Sequence, residues 1–189
     1  MLGLGKRSSG AGKRSRMGMK DLVSDQRGVA ATEFALIIPV VIVLMAGLID
    51  VAQALAVNRK LVEISSSVAD LVAQRSDIST SDVNAILQGA QAILLPYNTS
   101  GLKIIVSVVH VDTQNKVVWA AASGATAPVA NSVSTATIPS DMAVNGVDVV
   151  AAQVQYTFSP TFSNLFGQSV NFNEQELARP RQGTTVTLK

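Results

Sequence analysis

Cysteine is absent from the 189-residue chain and histidine occurs once, as His110. These absences exclude a disulfide framework, a thiolate metal site, a cysteine nucleophile and a histidine-rich metal centre. A Ser/His/Asp triad would have to use His110, which stands among β-branched neighbours, the setting of a structural strand residue. No glycine-rich phosphate loop occurs, and Asp112-Thr-Gln-Asn lacks the acidic series of an EF-hand. Aromatic residues make up only 4% of the chain and charged residues 15%. The reading is therefore non-enzymatic, with no cofactor and no metal.

The few charges are unevenly placed. Up to Gly28 there are seven Lys/Arg (Lys6, Arg7, Lys13, Arg14, Arg16, Lys20, Arg27) against Asp21 and Asp25, a balance of +5; from Val29 onward eight basic residues face eleven acidic ones, a balance of −3. A basic face for nucleic acid is not expected beyond the leader. The leader mixes its basic residues with Gly and Ser and shows no periodicity that would bury a face, so it reads as disordered. Met17 and Met19 are alternative starts that leave Lys20, Arg27 and Gly28 in place.

What the chain does have is a long apolar run. Val29 to Ile49 holds 21 residues with one charge, Glu33, and at about 1.5 Å per residue a helix of that length spans roughly the 30 Å of a bilayer core. Basic residues before a first span stay cytoplasmic, so residues beyond about 50 are expected outside. Pro39 removes one backbone donor, which packed neighbours tolerate in a membrane. A cleavable secretory signal is the rival, since Ala52-Gln-Ala54 and Ala54-Leu-Ala56 fit its cleavage pattern. The long leader, the length of the run from Phe34 to Ile49, and Asp50 before the site count against it.

Glu33 needs a reason, because a carboxylate at the centre of a bilayer costs about 2.5–3.5 kcal/mol on insertion scales. One reading places it in the first helical turn, near headgroup water and the positive end of the helix dipole. The other follows if the chain is cut after Gly28: a new ammonium on Val29 then stands four residues before Glu33, and the ammonium of one subunit can neutralise the carboxylate of its neighbour.

Gly28-Val-Ala-Ala-Thr-Glu33-Phe34, followed by the apolar run, resembles the processing site of type IV pilin-like proteins, with Gly last in the leader, Glu fifth in the mature chain and an aromatic sixth. More narrowly, Asp25-Gln-Arg-Gly-Val-Ala-Ala-Thr-Glu-Phe-Ala-Leu-Ile-Ile-Pro39 is similar to the start of TadE-like proteins, pseudopilins of the tight-adherence (Tad, or Flp) pilus machinery. Val118-Trp119, Gln155-Tyr156 and Arg179-Pro180-Arg181 are similar to features of the broader TadE/TadG-like group. The resemblance implies cleavage by a prepilin peptidase between Gly28 and Val29, and a register role for Glu33 and Phe34. It also implies partnership with other pilin or pseudopilin subunits and an inner-membrane platform, and a supporting part in building a pilus for surface attachment. Phe34 in place of the usual Tyr, and the long body, favour an accessory subunit over a bulk filament protein. An uncleaved single-pass inner-membrane anchor, its domain periplasmic and tethering other envelope components, is the alternative.

The remaining chain is expected to be α+β. Val57, Leu61, Ile64, Val68 and Leu71 form a seam that continues the helix to about residue 75, either on the chain's own domain or between subunits. Residues 1–28 thus read as leader, 29–50 as span, 51–75 as its continuation and 76–189 as an exported domain. Ser81 is the expected N-cap of a second helix that Pro96 stops. Leu102–Val111 and Val117–Ala122 read as an antiparallel hairpin joined through Asp112–Lys116, Val147–Phe158 as a third strand, and Val170–Phe172 with Ala178 as a fourth. Ser123–Pro139 reads as a surface excursion with little structure. Trp119, Tyr156, Phe158, Phe162 and Phe166 either fill the core under the sheet or form a contact patch. Arg179 and Arg181 either pair with a neighbouring subunit or lie solvated at an edge.

Overall fold

A computed structural model describes residues 26–162 and 169–189. The leader up to residue 25 and Phe166 lie outside the described residues. The described elements are helix α1 (Gln26–Ala73), strand β1 (Asp77–Ile78), helix α2 (Thr80–Ile93), and strands β2 (Lys103–His110), β3 (Lys116–Ser123), β4 (Asp148–Phe158), β5 (Val170–Ala178) and β6 (Thr187–Leu188). The fold class is α+β, as expected from the run of helical periodicity followed by β-branched strands.

Helix α1 is continuous over 48 residues and carries Pro39 in its interior. The chain divides into two compact units, one ending at Leu44 and the other running from Met45 to Lys189. In the first unit every side chain from Val29 to Leu44 is exposed, including Leu36 at 76% and Leu44 at 67%. So large an apolar surface is not left in water by a soluble domain. Among the described residues one helix is long and apolar enough to cross a membrane, and this is it.

In the second unit α1 acquires a buried face. Val57, Leu61, Ile64, Val68 and Val72 are fully buried and join the core cluster formed with the sheet and α2. The seam thus packs on the chain's own domain. Leu71, expected in it, is instead 46% exposed and Val72 takes its place. The spacing of 4, 3, 4 and 4 follows the 3.6-residue turn of a straight helix packed on a sheet, where a strict heptad would have chosen residue 71.

The cap of helix α2 lies two residues before the expected one. The Ser79 hydroxyl accepts from the Asp82 N–H at 3.1 Å and lies 2.8 Å from the Asp82 carboxylate, so Ser79 rather than Ser81 closes the helix end. The acidic residue three positions after the serine also sets a negative charge at the positive end of the helix. Val83, Leu87 and Ala90 face the core.

The main sheet is antiparallel in the order β3-β2-β4-β5. Its front face, with Ile104, Val106 and Val108 of β2 and Val150, Ala152, Val154 and Tyr156 of β4, receives both helices. The hairpin turn is built by Asp112, whose carboxylate accepts from the Gln114 and Asn115 N–H groups at 2.7 and 2.6 Å while Asn115 takes a left-handed φ of 49°. The Gln114 N–H chiefly holds the Asp112 carboxyl below the ordinary carboxylate range.

The segment from Ser123 to Pro139 differs from the expected loose excursion. Its residues cover the back of the sheet: the Gln175 side chain accepts from the Thr137 N–H at 3.0 Å and donates to the Thr137 carbonyl at 2.7 Å, and Thr135 bonds Gln153. Asn131 donates to Val117, and Val117 donates to Ser132. Beneath lie Ser107, Val109, Val149 and Ala151, all buried. Burial on both faces explains why β2, apart from Ser107, and the first half of β4 after Asp148 read as near-continuous apolar runs rather than as alternating strands.

A second, two-stranded sheet pairs β1 with β6 in parallel, Asp77 with Thr187 and Ile78 with Leu188. Lys189 pairs with Asp77 and holds its carboxyl below the usual range. The segment from Arg179 to Lys189 thereby closes over the junction of α1 and α2, with the Arg181 N–H bonded to the Ala73 carbonyl at 2.8 Å and Val186 fully buried.

Candidate functional site

The sequence directs attention to the start of α1. The helix begins at Gln26, so the Gly28–Val29 peptide bond lies within it. A Cβ added at Gly28 would meet nothing within 4 Å. Packing within this chain therefore does not require glycine there, and a glycine inside a helix costs about 0.5–1 kcal/mol relative to alanine. The Thr32 hydroxyl donates to the Val29 carbonyl at 2.8 Å. Glu33 is exposed, and Phe34 is 64% exposed. Since no acidic residue occupies the first turn of α1, Glu33 lies beyond the reach of the helix's positive end, and the dipole reading of this residue fails in the uncut chain.

The remaining sequence-selected residues lie in the second unit. Trp119 is buried, its indole N–H donating to the Val186 carbonyl at 2.7 Å. Tyr156 is buried, its hydroxyl donating to the Asn98 carbonyl at 2.9 Å. With Phe158 they serve the core under the sheet; Phe162 stays partly exposed. Arg179 donates to the Asp141 carbonyl at 2.8 Å, and Arg181 forms an ion pair with Asp70 of α1 while its side chain stays largely open to solvent.

Burial, with a smaller contribution from Tyr97, raises the Tyr156 pKa above the ordinary phenol value. A raised folded pKa means that its contribution to stability is fully present below about pH 10 and is lost as pH rises through the folded value. Tyr156→Phe is expected to lose about 0.5–1.5 kcal/mol with the hydrogen bond. It should also remove the late portion of the phenolate absorbance titration; an unchanged titration would place the phenol in water.

His110 is bonded through Nδ1 to the buried Asp148 carboxylate at 2.6 Å, joining the adjacent ends of β2 and β4. Among the described residues no hydroxyl is bonded to its other ring nitrogen, and no group of three or more His, Asp or Glu side chains could hold a metal ion. The pair fits a structural clasp: it gives a buried carboxylate a partner, as burial demands.

One residue that sequence reasoning used only as an argument against signal cleavage is Asp50. It is buried at the end of the apolar run, and its carboxylate accepts from the Thr161 N–H at 2.9 Å and the Phe162 N–H at 3.2 Å. Its only sequence signal is a charge standing directly after Ile49. Ala52, Ala54 and Ala56 lie in the middle of α1, and Ala54 packs against the core.

These elements define a protein with one N-terminal helix able to cross a membrane and an α+β unit folded on that helix's C-terminal half. Residues 28–70, which take in most of α1, match the family model described as TadE-like protein, so this stretch is similar to that family. The match starts at Gly28 and ends within α1, before the sheet. No curated protein and no solved structure matches the chain.

Proposed function

We propose that the chain is a minor pseudopilin or accessory subunit for assembly of a tight-adherence (Flp-type) pilus involved in surface attachment. The observation that carries this reading is the TadE-like match over residues 28–70, which begins at the glycine that packing leaves unexplained. A residue that costs helix stability and fills no tight space is accounted for by an enzyme that reads it. In this reading a prepilin peptidase cuts between Gly28 and Val29, and the Val29 ammonium meets Glu33 of a neighbouring subunit. Phe34 packs in the same contact. The leader stays cytoplasmic, the single span sits in the inner membrane, the α+β domain is periplasmic, and the platform of the pilus machine is the partner. Arg179 and Arg181 remain on the surface for contacts with other subunits.

One observation favours the uncleaved scaffold instead: α1 runs unbroken across the Gly28–Val29 bond, and a peptidase must unwind that turn. The N-terminal residue of protein recovered from membranes and from sheared surface filaments decides. A chain starting at Val29 in the filament fraction is the expected result. A chain starting at a methionine, confined to membranes, would establish the anchor, and a start near Val57 would remove both.

A further inference from the structure

The turn after β4 is fastened to α1 at the level where the apolar run ends. Asp50 accepts both successive N–H groups of the turn, Thr161 at 2.9 Å and Phe162 at 3.2 Å, and the Thr161 hydroxyl bonds the Gln53 side chain at 3.2 Å. On the same side of α1, Ala46 is buried although it belongs to the apolar run. The Thr161 and Phe162 N–H groups are thus satisfied inward, against the helix, while the Phe162 ring keeps 36% of its surface exposed.

Backbone donors cannot enter the apolar edge of a bilayer unless they are already bonded. A carboxylate that accepts two of them meets that requirement, and an aromatic ring beside it gains from leaving water. We propose that the Thr161–Phe162 turn is a lipid contact: Phe162 inserts at the headgroup boundary and seats the α+β unit on the membrane surface. The inference rests on α1 crossing the bilayer with Ile49 and Asp50 at its outer edge. The opposite end of the sheet, at the β2–β3 turn, lies roughly 33 Å away along β4 at about 3.3 Å per residue and faces water.

Because the chain lacks cysteine, single labels can be placed without background. The full chain carrying Phe162→Cys, Ser159→Cys, Thr113→Cys or Leu44→Cys would be labelled with an environment-sensitive fluorophore and reconstituted in phosphatidylethanolamine/phosphatidylglycerol nanodiscs, with lipids brominated near the headgroup as quenchers. The expected result is blue-shifted, lipid-quenched emission at positions 44 and 162, weaker quenching at 159 and none at 113. Quenching at 44 with water-like emission at 162 would overturn the lipid contact and leave the span standing. Blue-shifted but unquenched emission at 162 would show that protein covers the ring, which also overturns it. Water-like emission at 44 would remove the span and this inference together.

Discussion

Glu33→Ala is expected to leave the leader cleaved and the protein in the membrane while removing it from sheared filaments. The carboxylate is exposed on a helix whose other side chains from Val29 to Leu44 are all apolar except Thr32; a carboxylate costs about 2.5–3.5 kcal/mol at the bilayer centre and less this close to the end of the span, but still a net cost. A charge kept there against that cost needs a compensating partner, and the Val29 ammonium of an adjacent cleaved subunit supplies one. Loss of the charge should thus raise retention in the membrane and abolish ordered incorporation. Glu33→Gln, which keeps the volume, should behave like Glu33→Ala if charge is what counts. Quantifying the protein in membrane and filament fractions, with its N-terminal residue, separates processing from assembly; filaments that incorporate both variants normally would sink the pairing.

Trp119→Ala is expected to cost about 3–5 kcal/mol, the range for truncating a large buried aromatic. That is a large share of the about 5–15 kcal/mol that holds a domain together. The loss has two parts: the cavity left under the sheet, and the Val186 carbonyl, which loses its indole donor in a fully buried position. Trp119→Phe should cost less, since it retains much of the ring volume. Urea unfolding of the full chain in detergent, followed by circular dichroism, gives the magnitude. Trypsin cleavage after Arg181 gives the location, because releasing Val186 frees the closing segment that β6 and the Arg181–Asp70 pair hold down. A cost below about 1 kcal/mol, within the range of ordinary surface changes and their neighbours, would mean that Trp119 does not anchor this segment.

Local chemistry made much of this protein readable in advance. The one apolar run with a basic leader announces a spanning helix, since length and hydropathy alone decide whether a segment can cross a bilayer. The short processing-like motif at Gly28 and Glu33 is local, so it could be read from adjacent residues. Strands β2 to β4 emerged within one residue of their bounds because β-branched residues cluster there and Asp112–Lys116 carries turn chemistry, whereas only the start of β5 was legible, since Asn173–Glu176 is polar and lacks β-branched residues. The capping serine was misplaced because Ser79 and Ser81 both have the right side chain, and only the position of Asp82 three residues on selects between them.

Other features belong to tertiary structure. A two-residue parallel pairing such as β1 with β6 has no periodicity to read, and joins segments 110 positions apart in sequence. The Ser123–Pro139 segment looks like an idle loop because its polar residues are satisfied by Gln153 and Gln175 on strands that follow it. Asp50, Trp119 and Tyr156 gain their meaning from backbone partners at Thr161, Val186 and Asn98, far along the chain. The sequence by itself determined one helix long and apolar enough to cross a membrane, with a processing-like start, and an α+β body, because those depend on near neighbours and on the apolar content of one run. Only the fold decided which carboxylate is buried, which aromatics are spent in the core, and that Phe162 stays partly exposed while its N–H is bonded to Asp50, because burial and hydrogen bonding are settled by residues that the chain brings together from a distance.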